Sequence, residues 1–214
     1  MHIPDGILPI SVNAGGYAAT AAVTWYSIRK IKQKENPREG IPKASLLTAA
    51  FFVVSWIHIP VPPTSVHLVL NGLLGALLGY YAFPAILIGL FFQAVMFGHG
   101  GLTTLGINAV IMGLPAILAY YIFRLRKLGG KDSPKKDGAF GFLAGAVAIG
   151  ISVAIFVGIL VTNLPTDFIS AEVERAAIYT LAIAHLPLLG IEGTITSLLV
   201  VFLRRVRPGI LDGV

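Results

Sequence analysis

The sequence predicts an all-α integral membrane protein, a single transmembrane domain over residues 1–214 that crosses the bilayer with about seven helices. Three observations carry this. Only 12% of the residues are charged, about half the roughly 25% of a soluble domain, and 56% are apolar. The mean hydropathy is +0.82. The apolar residues collect mostly into runs of about 16–25, near the length needed to cross a hydrocarbon core roughly 30 Å thick.

Before the first run lies a tail, residues 1–10, with no Lys or Arg. It lacks the basic region of a signal peptide, so the mature chain is expected to start at Met1. The runs are Ser11–Ile28, Ala44–Ile59, Val66–Ala82, Ala85–Phe97, Asn108–Phe123, Ala139–Thr162 and Ala176–Leu203. Ala14, Ala18 and Ala22 form a small-residue stripe on the first, suited to packing against another helix. Between the second and third, Pro60, Pro62 and Pro63 mark a loop in which Thr64 or Ser65 can cap the third helix. That would put His67 in its first turn and Asn71 one turn deeper on the same face. The fourth run is short and reads as partial or tilted.

Charge sets the orientation. Of the 16 Lys and Arg, six lie between Arg29 and Lys43, six between Arg124 and Lys136, and three at Arg204, Arg205 and Arg207. With seven crossings all three groups share one side, which the positive-inside rule makes cytoplasmic. Loops 29–43 and 124–138 and the C-terminus are therefore expected inside, and the tail, residues 1–10, outside the cell.

Several chemistries are excluded. Without cysteine there are no disulfides, thiolate metal sites or thiol nucleophiles. The net charge of +6 resides in topogenic loops rather than in a nucleic-acid-binding patch. Gly129-Gly130-Lys131 is followed by Asp132 and lacks the glycine spacing of a phosphate loop, and His185 is followed by Leu186-Pro187 rather than a zincin motif. No catalytic residue and no cofactor is expected, so the chain is read as something other than an enzyme.

The histidines point to a transition metal. His2, His58, His67 and His99 all fall toward the outer side; His185 lies within the last run. A free N-terminus followed by histidine offers the Met1 amine, the His2 amide and His2 Nδ1 in sequence, closing a five- and a six-membered chelate ring in one plane. One position stays open for a second imidazole. Four planar nitrogens suit Ni(II) or Cu(II), whereas Ca²⁺ and Mg²⁺ want oxygen. Pro4-Asp5-Gly6 supplies a bend to fold the tail back. His67 is favoured as the fourth nitrogen, with His58 and His99 as competitors. Asn71, Gln93 and Asn108 would be costly facing lipid and are expected to point inward as bonding partners of the site. His185 and Glu192, seven residues apart on one helix, are assigned a coupling or structural role.

Together Met1-His2-Ile3-Pro4-Asp5-Gly6, His67, the Gly98–Asn108 loop and the stretch from Ala184 to Gly193 resemble the nickel/cobalt substrate-specific component of energy-coupling-factor transporters, over the whole chain. The resemblance implies a six-helix core plus one added N-terminal helix in a prokaryotic cell membrane. It also implies binding of the transported Ni(II) or Co(II) by the Met1 amine, the His2 amide and ring, and His67. Asp5 and Pro4 stand where cobalt-type members tend to have Glu and Met, which leans toward nickel. Implied partners are a transmembrane coupling subunit, cytoplasmic ABC-type ATPases and small accessory membrane subunits, with no nucleic acid. The alternative is a self-sufficient secondary permease or channel for divalent cations. With only Glu192 and His185 ionisable inside the spans, proton coupling is thinly supplied.

Overall fold

In the computed structural model the described residues are 1–61, 64–128, 133–163 and 171–212, and they are mostly helical. The Gly129-Gly130-Lys131-Asp132 part of the second basic loop, together with Pro62 and Pro63, lies outside them. The helices are α1 (Ile10–Lys32), α2 (Gly40–Val54), α3 (Asn71–Leu78), α4 (Ala82–Phe97), α5 (Leu105–Arg124), α6 (Pro134–Asn163), α7 (Ala171–Ala184), α8 (Leu186–Val206) and the single turn α9 (Gly209–Asp212). Among the described residues, four helical stretches are long and apolar enough to cross a membrane: Asn71–Phe97, Leu105–Lys127, Pro134–Asn163 and Arg175–Val206. α2 is apolar but shorter. α1 has the length, but Asn13, Thr20, Thr24 and Ser27 dilute it; Thr20 is buried and donates through Oγ1 to the Gly106 carbonyl at 2.7 Å.

The first of these stretches is a hairpin of two helices. Asn71 meets Met112 of α5, Gly75 lies against Ala116 and Gly79 against Tyr120, whereas Phe83 has returned to the level of Gly113. The chain therefore runs down α5 along α3 and reverses at residues 79–81, where Gly79 takes a positive φ, before climbing back as α4. The third run is thus cut to eight α-helical residues, by this reversal after it and by what lies before it.

What lies before it corrects the expectation for His67. The chain between α2 and α3 forms an antiparallel hairpin, β1 (His58–Val61) with β2 (Thr64–His67), in which His58 pairs with His67 and Ile59 with Val66. His67 is the last residue of a strand, not a first-turn helical residue, and α3 begins only at Asn71, preceded by Leu70 with no side-chain cap. The physical reason is proline. Pro60 has no N–H to give an intrahelical ladder, and the prolines that follow bar the helical conformation for the residues before them. The last run is also interrupted: α7 ends at Ala184 and α8 starts at Leu186, because Pro187 cannot donate to the preceding turn. His185 is the joint between two helices, its Nδ1 bonded to the Leu181 carbonyl at 2.7 Å.

α3, α5, α6 and α8 form the centre of the bundle, with Ile111, Met112, Ile149 and Leu188 fully buried. At the end of α5 away from Leu105, buried Asp137 of α6 pairs with Arg126 (3.1 Å) and with Arg204 of α8. Arg126 also donates to the Leu211 carbonyl at 2.7 Å, and Lys43 to that of Ile210 at 3.2 Å. Arg126, Arg204 and Lys43 thus share one end. The N-terminus and four of the five histidines gather at the other, about 30 Å away along α5 at 1.5 Å per residue.

Candidate metal centre

The tail is sewn into the bundle mouth. Pro4-Asp5-Gly6 bends as its residue types predict, with Gly6 at φ 85°. Ile3 is 1% exposed, and its N–H donates to Asn108 Oδ1 at 2.9 Å while its carbonyl accepts from Asn108 Nδ2 at 3.0 Å and Thr104 Oγ1 at 2.7 Å. One side chain on the first turn of α5 therefore reads the peptide like a paired strand. Asp5 accepts the N–H groups of Leu102 (3.2 Å) and Thr103 (2.9 Å) and the Thr103 hydroxyl. The Thr103 hydroxyl is the main cause that holds its carboxyl below the usual range.

These bonds deliver the first two residues to one point. The Met1 amine lies 3.0 Å from His67 Nε2. His67 Nδ1 faces the Leu68 carbonyl at 3.0 Å, so the ring proton sits on Nδ1 and the lone pair on Nε2. His2 is oriented by a relay. Ser55 donates to the Phe52 carbonyl (2.8 Å), Gln93 Nε2 donates to Ser55 Oγ (2.8 Å), and Gln93 Oε1 is left to accept from His2 Nε2 at 3.0 Å. The proton of His2 is thereby fixed on Nε2, and Nδ1, buried without a partner, carries the lone pair. Among the described residues, His2, His67 and His99 each bring one ring nitrogen within 4.8 Å of the others.

Electrostatics keep these nitrogens uncharged. Burial pushes the Met1 amine down to about 5. Burial, then the neighbouring amine, pushes His67 down to about 2. His2 is held well below the imidazole range by burial, then by the amine, His67 and His99, against a smaller opposing effect of Gln93. At neutral pH the pocket presents neutral nitrogen donors, the protonation state metal binding requires.

The hairpin end that carries His67 is itself held from α8. The Glu192 carboxylate, fully buried, accepts the N–H of Val69 and that of Leu70. Leu70 has φ 55°, the only non-glycine residue with positive φ among those described. A bulky side chain in that region is strained and persists only when its surroundings hold it.

Residues 2–210 match the family model for the cobalt uptake substrate-specific transmembrane region, CbiM. The chain belongs to the CbiM family. It is similar to the cobalt transport protein of Sorangium cellulosum, 29% identical over 235 residues that cover 99% of this chain and 95% of that one. It is equally identical, 29% over 223 residues, to a fused nickel transport protein of Rhodobacter capsulatus, covering 99% of this chain and 64% of that longer one. A solved transition metal transporter superposes with a TM-score of 0.79 at 27% identity, over 96% of this chain and 93% of the other. As a CbiM member, the chain is a substrate-specific membrane component of a cobalt or nickel uptake system, a multi-pass prokaryotic membrane protein whose role implies partner subunits. Its family is one of metal transporter components, not enzymes.

Within this CbiM member, Met1, His2, His67, His99, Gln93 and Asn108 come together. His58 stands at the rim, exposed, with its ring 6.0 Å from that of His67. Asn71 is buried but below the histidine cluster, donating to the Met112 carbonyl (3.1 Å) and Ser152 Oγ (2.9 Å). His185 is buried at the joint of α7 and α8 and has no contact with the other histidines among the described residues. Ser55 and Thr104 are functional in positioning His2 and Ile3 and were not singled out from the sequence. A hydroxyl residue carries no signal until the fold shows what it touches.

Proposed function

We propose that this chain is the metal-capture subunit of an ATP-driven importer of the energy-coupling-factor type, taking Ni(II) from the extracytoplasmic side. The Met1 amine, the His2 amide and Nδ1, and His67 Nε2 form a planar set of four nitrogens. One observation carries the reading: a buried amine 3.0 Å from an imidazole lone pair, next to the unpartnered Nδ1 of the adjacent residue. A planar four-nitrogen site favours Ni(II) among the family's substrates, since planar coordination is the preference of that ion. The chain crosses the membrane about seven times with the tail outside and the basic end, including loops 29–43 and 124–138, in the cytoplasm. That end faces the transmembrane coupling subunit, the ABC-type ATPases and small accessory subunits, which supply the energy that this chain has no motif to harvest. Glu192 and His185 belong to the support of the site and the α7–α8 joint.

The test is calorimetric titration with Ni(II) of the purified chain beginning at Met1 and of a version with one residue added before Met1, following the absorption of planar Ni(II). Added residues displace the amine by about 3.8 Å per Cα step, out of reach of the chelate plane. Loss of tight binding and of the planar band with the helical content retained is expected; unchanged affinity would overturn the ligand set.

A further inference from the structure

His99 remains in the pocket after the four planar nitrogens are assigned. Its ring centroid is 4.1 Å from that of His2, 5.2 Å from that of His67 and 5.9 Å from that of Trp56. It is half-buried, and its Nε2 is enclosed with no hydrogen-bond partner. Leaving a ring nitrogen enclosed and unpaired is costly. In His2 and His67, by contrast, each ring nitrogen is either bonded to a carbonyl or amide or assigned to the metal. Beyond it stands His58, exposed, with Nδ1 tied to the Trp56 carbonyl at 2.9 Å so that Nε2 points away from its own backbone. Imidazoles thus descend from solvent to the buried site: His58 at the rim, His99 half-way, His67 and His2 at the bottom.

A planar d⁸ ion exchanges donors by adding a fifth ligand above the plane before one of the four departs. A hydrated divalent ion arriving at this mouth must shed waters one at a time while the buried donors engage in turn. We infer that His99 is a transfer ligand, a fifth nitrogen that binds Ni(II) transiently during loading and release and is absent from the final planar set. In loading, a Ni–N bond to His99 Nε2 replaces a Ni–water bond, and the water leaves. The planar donors then close around the ion, the His2 amide proton passes to solvent as its nitrogen binds, and the His99 bond breaks last. Release runs the same steps backward. This role rests on the planar site proposed above.

Because a transfer ligand lowers the barrier in both directions, its loss slows both and leaves the equilibrium alone. The experiment is stopped-flow mixing of Ni(II), and of chelator with the loaded protein, in detergent, for the full chain, His99→Ala and His99→Phe, alongside calorimetric affinities. Association and dissociation of both variants are expected to slow by the same factor, roughly tenfold or more, the effect of a barrier raised by about 1.4 kcal/mol. Affinity should stay unchanged, and millimolar imidazole should restore the rates of His99→Ala, which a merely structural role would not allow. Unaltered rates, or weakened affinity with faster dissociation, would overturn the transfer role. If wild-type protein shows no planar band, or the N-terminal extension binds as tightly as wild type, it is the planar site itself that fails.

Discussion

Replacing Asn108 by Leu, a side chain of similar size with no polar atom, removes the group that reads the tail. In the wild type the Ile3 N–H has Asn108 Oδ1 as its partner, and the Ile3 carbonyl shares Asn108 Nδ2 with the Thr104 hydroxyl. Ile3 and Asn108 are 1% and 2% exposed, so water cannot substitute. The variant leaves one buried N–H unsatisfied, at about 1–3 kcal/mol, and forfeits one further bond at about 1 kcal/mol. Docking of the tail is therefore weakened by roughly 2–4 kcal/mol, or about 30- to 1,000-fold. Apparent nickel affinity falls by as much of that factor as is needed to empty the docked state, since only docked tails present all four nitrogens. Two assays read it: calorimetry with Ni(II), and the rate at which an amine-reactive ester labels Met1 in metal-free protein. Weaker binding and faster labelling with unchanged helical content are expected. If affinity stays within about 0.5 kcal/mol of wild type, the range of an inconsequential surface change, and labelling is no faster, the tail is not held by Asn108 and the reasoning fails.

The amine also imposes a pH dependence. Its pKa is near 8.0 when the tail is free and about 5 when docked, so protons bind preferentially to the undocked state. Tail docking is fully favourable above pH 8, loses stability as pH falls from 8 toward 5, and levels off below; the full amplitude is about 4 kcal/mol for three pH units. Hydrogen exchange at the Ile3 amide checks this, and protection that does not vary between pH 8 and 5 would contradict it. Gln93→Leu removes the acceptor that fixes the His2 tautomer and should weaken nickel affinity by about 10- to 100-fold, measured by titration at constant pH. Glu192→Leu leaves the Val69 and Leu70 N–H groups buried without partners and should destabilise the fold by about 2–6 kcal/mol. Glu192→Gln, which keeps a carbonyl acceptor, should fall between; equal melting of all three proteins would remove the clamp assigned to Glu192.

Much of the architecture was legible in the residues because hydropathy and charge act locally. Each apolar run reports its own transfer free energy, and the basic clusters report which loops share an end, as Asp137, Arg126, Arg204 and Lys43 do in the folded chain. The order of nitrogen donors at the N-terminus is legible for the same reason: amine, amide and Nδ1 are joined by covalent bonds, so their spacing needs no fold. The prolines at 60, 62 and 63 signalled a loop, but periodicity does not distinguish a capped helix start from a strand when only four residues are involved. His67 was therefore expected one helical turn from Asn71, whereas it ends β2.

Sequence by itself determined a helical membrane protein, the clustering of its basic residues, and a run of nitrogen donors at its beginning, because those depend on the chemistry of neighbouring residues. Tertiary structure decided which imidazole meets the amine, the reversal at Gly79, the joint at His185 and the relay from Ser55 through Gln93 to His2. The same holds for the hold of Glu192 on Leu70 across 122 positions of chain. Such contacts join residues far apart along the polypeptide, and their geometry comes into being only when packing excludes water and each buried polar atom must find a partner.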